Sequence, residues 1–316
     1  MAERAPVETV EILDLENEPI TYHIHRYDAD RKQPILLIID GSGCRGQLRR
    51  GFGDLYQPPA DRSLIYARVT VEKPGVEPTS RELTDCSAEF RQRHSIDNWV
   101  RDILRTLQHL RATADWWDGR IYIYGWSDGG DVGARVMSYY PDVERAVLGA
   151  QGGGYTMAQH FEDFWDCAAD RTTDREACLA DVRAMFQDLR DNPVPRADKG
   201  DTNLLWRSRM FADLATLLEY GDTPLLVVHG ALDRDHTPVE SARLLVSRLQ
   251  DAGRANLTYC EVPFMEHGHG SFDDKQASMF EKALLSWLFA QENAGALLEP
   301  FCDPSPDLAA TAPPSA

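Results

Sequence analysis

The chain has 316 residues, 43% of them hydrophobic, and a formal net charge of -18. That length suits one large α/β domain with an insertion, or two small domains. The acid excess argues against nucleic acid and against an anionic membrane surface as partners.

The first dozen residues are polar and charged, without the apolar stretch of a leader. No run of about 18 apolar residues suggests a membrane helix. These features predict a cytoplasmic protein whose cysteines, Cys44, Cys86, Cys167, Cys178, Cys260 and Cys302, are thiols. None of them forms a Cys-x-x-Cys pair, so no metal site is expected. In a mature secreted form, Cys44 with Cys86 and Cys167 with Cys178 become candidate disulfides.

Residues 7–14 and 20–27 read as two strands around the turn-prone Asn17-Glu18-Pro19. Ile20, Tyr22 and Ile24 alternate with polar neighbours, as on a half-exposed antiparallel edge. Residues 34–39 are continuously apolar, as in a strand covered on both faces, and run into the glycine-rich turn 40–46. A strand is predicted over 63–71, and an irregular polar stretch over 81–94. Ile96, Val100, Ile103, Leu107 and Leu110 recur at helical spacing behind Ser95, a suitable cap.

Residues 121–126 form the next apolar run and end in Gly125-Trp126-Ser127-Asp128-Gly129. Gly-x-Ser-x-Gly between a strand and a helix is the pattern of a nucleophile elbow, a sharp turn that lifts a serine hydroxyl above a sheet. A helix is predicted over 131–140, and a short strand over 145–150. Residues 155–220 change texture: aromatic and charged residues at helical spacing predict an inserted helical cap. The sheet resumes with strands at 224–230 and 256–262. Thr237, Pro238 and Glu240 read as a capping box that opens the helix after the first of these. A last helix is predicted over 274–288. The Pro- and Ala-rich end of the chain, within 296–316, reads as a disordered tail.

Strands alternating with helices imply a mostly parallel sheet covered on both sides. In such sheets functional residues gather beyond the carboxyl ends of the strands. A serine hydroxyl needs a base within hydrogen-bond reach, and that base needs an orienting acid. Asp233 and Asp235 follow the strand at 224–230; His267 and His269 follow the strand at 256–262. The order Ser, Asp, His is therefore available.

With those three motifs the sequence resembles the α/β-hydrolase superfamily, most of all its bacterial esterase and prolyl-oligopeptidase-like branches. The resemblance covers roughly residues 34–290, with the cap outside it. It implies an α/β-hydrolase fold with a core of residues 1–154 and 221–295. It also implies a Ser-His-Asp triad. Ser127 is the nucleophile. Asp233 is favoured over Asp235 because the family's acid follows Gly-x-x. His269 is favoured over His267 because a glycine and a helix follow it.

The oxyanion hole would use the N–H of Asp128 and one from the turn after the first buried strand, with Ser42 ahead of Gly43. That turn reads Asp40-Gly41-Ser42-Gly43 rather than the family's His-Gly. Trp126, Tyr155 and Trp165 are candidates for the pocket wall, among several cap aromatics. The expected activity is hydrolysis of a small carboxylic ester through an acyl-enzyme, with no cofactor. The alternatives are a peptidase or amidase that reads a free amine with Glu162, Asp163 or Asp166, and a non-catalytic binding protein on the same fold.

Overall fold

The computed structural model describes residues 6–28, 30–49, 65–168, 171–192, 197–198, 201–268, 271–309 and 311. In chain order the first elements are β1 (Glu8–Leu13), β2 (Pro19–Arg26), β3 (Gln33–Ile39), β4 (Ala67–Val71), α1 (Ala88–Arg93), α2 (Ile96–Thr113), β5 (Trp117–Trp126), α3 (Asp128–Tyr139) and β6 (Val143–Gly149). Then come α4 (Met157–Asp163), α5 (Arg175–Asp191), the two-residue strands β7 (Ala197–Asp198) and β8 (Asp201–Thr202), α6 (Asn203–Met210) and α7 (Leu214–Leu218). The chain closes with β9 (Leu225–Gly230), α8 (Val239–Asp251), β10 (Leu257–Val262), α9 (Asp274–Leu288) and α10 (Ala294–Leu298).

Eight strands form one sheet in the order β1-β2-β4-β3-β5-β6-β9-β10. β1, β2 and β4 pair antiparallel; β4, β3, β5, β6, β9 and β10 run parallel. The burial patterns explain the division. β1 alternates exposed and half-buried residues on the sheet's rim, whereas every residue of β3, β4 and β9 is buried. Helices cover both faces. α2, α3 and α8 pack on one side with Trp99, Leu107, Val132 and Leu245; α9 and α10 pack on the other with Phe280, Leu284 and Leu298.

The cap region between β6 and β9 holds α4 to α7 and adds nothing to the main sheet. It has a small core of its own in Ala158, Cys167, Val182, Phe186, Leu189 and Met210. The last part of this region folds as two short helices, α6 and α7, with Asp213 capping the second through the Thr216 N–H. The polar stretch before α2 contains the short helix α1, capped by Ser87.

Three expectations are overturned. All six cysteines are paired, as Cys44–Cys86, Cys167–Cys178 and Cys260–Cys302, so none is a thiol. The segment after 295 is packed rather than disordered over its described part. α10 buries Leu298, Phe301 lies against Phe280, Cys302 is bonded to β10, and the Asp303 N–H donates to the Glu261 carbonyl at 2.7 Å. Thr237 does not cap α8, which starts at Val239 after Pro238. Its backbone is taken up instead by Asp233 and His229.

Among the described residues no helix is long and apolar enough to cross a membrane.

Candidate active site

β5 delivers Ser127 at its carboxyl end, and α3 begins one residue later. Ser127 has φ 58° and ψ -125°, a conformation that costs a non-glycine residue of order 1–3 kcal/mol and persists only where the surroundings fix it. Here the Ser127 N–H donates to the Gly149 carbonyl at 2.8 Å, and the first turn of α3 closes on the Ser127 carbonyl. The glycines on either side are obligatory. A Cβ on Gly125 would stand 2.2 Å from the Gly129 carbonyl oxygen, and one on Gly129 would stand 2.1 Å from that of Ile39.

Asp233 sits in the turn after β9, buried. Its Oδ1 accepts from the Thr237 N–H at 3.1 Å and its Oδ2 faces His267 Nδ1 at 2.7 Å. Burial pushes the carboxyl up, but the hydrogen bond from His267, the nearby His229 and the Thr237 N–H outweigh it and hold the pKa below its ordinary value. His267 lies in the loop after β10, and its Nε2 is 2.9 Å from Ser127 Oγ. The three side chains thus form one hydrogen-bonded row across the ends of three strands. Of the two histidines weighed, His267 makes both contacts, and His269, the one favoured in the sequence, lies outside the described residues. Asp235 is exposed and pairs with Arg171 of the cap at 2.7 Å, away from the imidazole.

Two neighbours hold His267. The Trp126 indole N–H donates to its backbone carbonyl at 2.9 Å, and the His236 ring stacks on its ring at 4.6 Å. Behind Asp233, buried His229 directs Nε2 to the Thr237 carbonyl at 2.8 Å; burial lowers its pKa below the ordinary value. Asp233, His236 and His267 also offer ligand atoms within 4.8 Å of one another, which is the geometry of a metal trio. His267 Nδ1 and Asp233 Oδ2 are already bonded to each other.

The turn after β3 lies against Ser127: a Cβ on Gly41 would stand 3.3 Å from Ser127 Cβ. Asp40, Gly41 and Ser42 line the same cleft as Ser127 and Asp128. Gly43 is buried, with φ 80°. Asp128 opens α3, so its N–H has no partner one turn back. Its buried carboxylate is gripped by Arg209 of α6, at 3.1 Å and 3.4 Å.

The cleft has a volume of about 730 Å³. Trp126 and Trp165 line it, together with Phe161, Trp206, Arg45, Arg49 and Arg209. Tyr155 does not; its hydroxyl donates to the Thr311 carbonyl at 2.6 Å, and its ring packs on Phe164. Glu162, Asp163 and Asp166 are also outside the lining, and Asp163 is held by Arg175 at 2.8 Å. Sequence reading missed Trp206 and Arg209. Both lie on α6, and Arg209 stacks over the Trp206 ring.

Comparison with solved structures decides the architecture. The chain superposes on an acylaminoacyl peptidase from Pyrococcus horikoshii with a TM-score of 0.62 at 15% identity, over 96% of this chain. It superposes on Est1E from Butyrivibrio proteoclasticus, solved with ferulic acid bound, with a TM-score of 0.60 at 14% identity, over 89% of this chain.

The chain has the α/β-hydrolase fold.

A candidate dipeptidyl aminopeptidase IV from Bacteroides ovatus shares the α/β-hydrolase fold with it at a TM-score of 0.62 and 15% identity, over 91% of this chain. The chain spans 36% and 43% of the length of the two peptidase chains, whereas it spans 100% of Est1E. No family profile and no curated protein sequence matches it.

Proposed function

We propose that the protein is a serine hydrolase that cleaves a small carboxylic ester through an acyl-enzyme. The observation that carries this is His267, whose two ring nitrogens reach Ser127 Oγ at 2.9 Å and Asp233 Oδ2 at 2.7 Å. Ser127 attacks the ester carbonyl while His267 Nε2 takes the hydroxyl proton. The Asp233 carboxylate holds the imidazole in the required tautomer and stabilises the imidazolium that forms. The N–H groups of Asp128 and Ser42 receive the oxyanion. His267 then protonates the departing alcohol. Water attacks the acyl-enzyme by the same steps in reverse order of roles, which regenerates Ser127 and releases the acid.

An ester is favoured over a peptide for two reasons. The cap carboxylates that would read a free amine, Glu162, Asp163 and Asp166, do not line the cleft. The walls are instead Trp126, Phe161, Trp165 and Trp206, which suit an aromatic or apolar acyl group. The full-length likeness to Est1E agrees with this reading. Three disulfides further suit an oxidising compartment rather than the cytosol.

The test is a fluorophosphonate probe followed by peptide mapping, alongside a panel of aryl esters and aminoacyl amides. The adduct is expected on Ser127, with esters turned over in preference to amides. An adduct on another serine, or a Ser127→Ala variant with wild-type esterase activity, would refute the assignment.

A further inference from the structure

Lys73 is a lysine in an unusual place. It follows β4 directly, and only 1% of its surface is exposed. Among the described residues no carboxylate lies within salt-bridge distance of its ammonium. Nζ donates instead to two backbone carbonyls of the turn after β3, Gly41 and Gly43, the latter at 2.7 Å. Its third neighbour is the face of Trp99, 4.5 Å from Nζ to the ring centroid. Burying an ammonium without a paired carboxylate is costly. A lysine that only filled space here would be better replaced by an apolar residue.

The bond to Gly41 has a directional consequence. The Gly41 carbonyl and the Ser42 N–H belong to one planar peptide unit, and the described chain has no cis peptide bonds. In a trans unit the two groups point in opposite directions. An ammonium that draws the Gly41 carbonyl inward therefore turns the Ser42 N–H outward, to the side where Gly41 and Ser42 line the cleft beside Ser127. The next unit but one behaves the same way. Lys73 takes the Gly43 carbonyl, and the Cys44 N–H on its far side donates to the Leu83 carbonyl at 3.2 Å. Ser42 N–H, by contrast, is bonded to no backbone carbonyl among the described residues.

We infer that Lys73 is the positioning residue of the oxyanion hole: its ammonium locks the Gly41–Ser42 peptide plane so that the Ser42 N–H faces the developing oxyanion. The inference rests on the acyl-enzyme reading above. It adds a residue that touches neither substrate nor triad.

The experiment compares wild type, Lys73→Met and Lys73→Arg by kcat and KM on one aryl ester. It also measures the inhibition constant of a trifluoromethyl ketone, which forms a tetrahedral oxyanion adduct on the serine. Thermal melts establish that each variant is folded. In Lys73→Met, kcat/KM is expected to fall on the order of 10²-fold, the usual cost of losing one such donor. The ketone's affinity should fall by a similar factor, KM should stay within about threefold, and Lys73→Arg should recover part of the loss. Should Lys73→Met fail to fold, the same constants are taken on Lys73→Gln, whose shorter side chain keeps an amide NH2 but neither the charge nor the reach of the ammonium. A folded variant with unchanged kcat, or with its loss confined to KM, overturns the role. Ser127→Ala is assayed in parallel. If it is inert while the Lys73 variants are unimpaired, the positioning role alone fails; if it is active, the acyl-enzyme reading fails with it.

Discussion

The indole N–H of Trp126 donates to the backbone carbonyl of His267 at 2.9 Å, so the residue preceding Ser127 holds the loop that carries the imidazole. Ser127 and His267 are 140 residues apart in sequence and 2.9 Å apart in space, and this bond is one reason their separation is fixed. Trp126→Phe keeps most of the ring's packing and removes the donor. A hydrogen bond of this kind is worth about 0.5–1.5 kcal/mol net. The variant is therefore expected to lose about 2- to 10-fold in kcat on an aryl ester, with its melting temperature nearly unchanged. Steady-state kinetics checks this, and a variant with wild-type kcat would show that the bond does not position the base.

His267→Ala and His269→Ala should behave differently. Removing the imidazole that bridges Ser127 and Asp233 is expected to cost about 10⁶-fold in kcat, as for a triad histidine. His269→Ala is expected to stay within a few-fold of wild type. Equal losses in the two variants would mean that the row seen here is not the working arrangement.

The two carboxylates of the acid turn separate in the same way. Asp233→Asn should lower kcat about 10⁴-fold, because the amide no longer holds the tautomer in which Nε2 faces the serine. Asp235→Asn breaks an exposed ion pair with Arg171 and should change kcat by less than about threefold. Rates for the two variants on one substrate settle it.

The disulfides predict a thiol count. Under denaturing, non-reducing conditions a thiol reagent should find no free cysteine, and six after reduction. Cys260–Cys302 closes a sequence separation of 42 residues, for which the chain-entropy relation gives about 4 kcal/mol. The double variant Cys260→Ser/Cys302→Ser should therefore melt well below wild type. Six thiols in the native, oxidised protein would refute the pairing.

Asp102 on α2 supplies a pH signature. Burial pushes its pKa from 3.8 up to about 7, against the pull of Arg101. The folded state thus holds a proton that the unfolded chain releases, so this group's contribution to stability is lost as pH rises from about 4 to about 7. Asp102→Asn removes that dependence. Relative to wild type it should gain stability as pH rises through this window, by at most about 1.4 kcal/mol per pH unit. Chemical denaturation of both proteins at pH 5 and pH 8 checks the sign; an equal gap at the two pH values would contradict it.

Much of this is legible in the residues, for identifiable reasons. β3 and β9 are continuous apolar runs because they are covered on both faces, and β1 carries alternating polar residues because it lies on the exposed rim. The elbow is legible because its two glycines are sterically obligatory, which leaves a rigid pattern in the sequence. The histidine is not. His267 and His269 are two residues apart in a loop without periodicity, and only the approach of Trp126 and Asp233 distinguishes one of them. The capping box at Thr237 fails because a local pattern lost to a tertiary demand: Asp233 needs the Thr237 N–H, and His229 needs its carbonyl. Two of the disulfides, Cys44–Cys86 and Cys167–Cys178, are the pairs a secreted form would offer, whereas Cys260–Cys302 has no spacing signature. Cys302 meets Cys260 only because α10 folds the chain back along β10.

Arg209 closes the cap onto Asp128, and Asp128 shares its backbone with the elbow. The cap and the elbow are therefore mechanically linked in this scaffold. An engineer who wants room for bulkier molecules would do better to trim the indole and phenyl walls than to cut that arginine, since freeing α6 would also release the residue that follows Ser127.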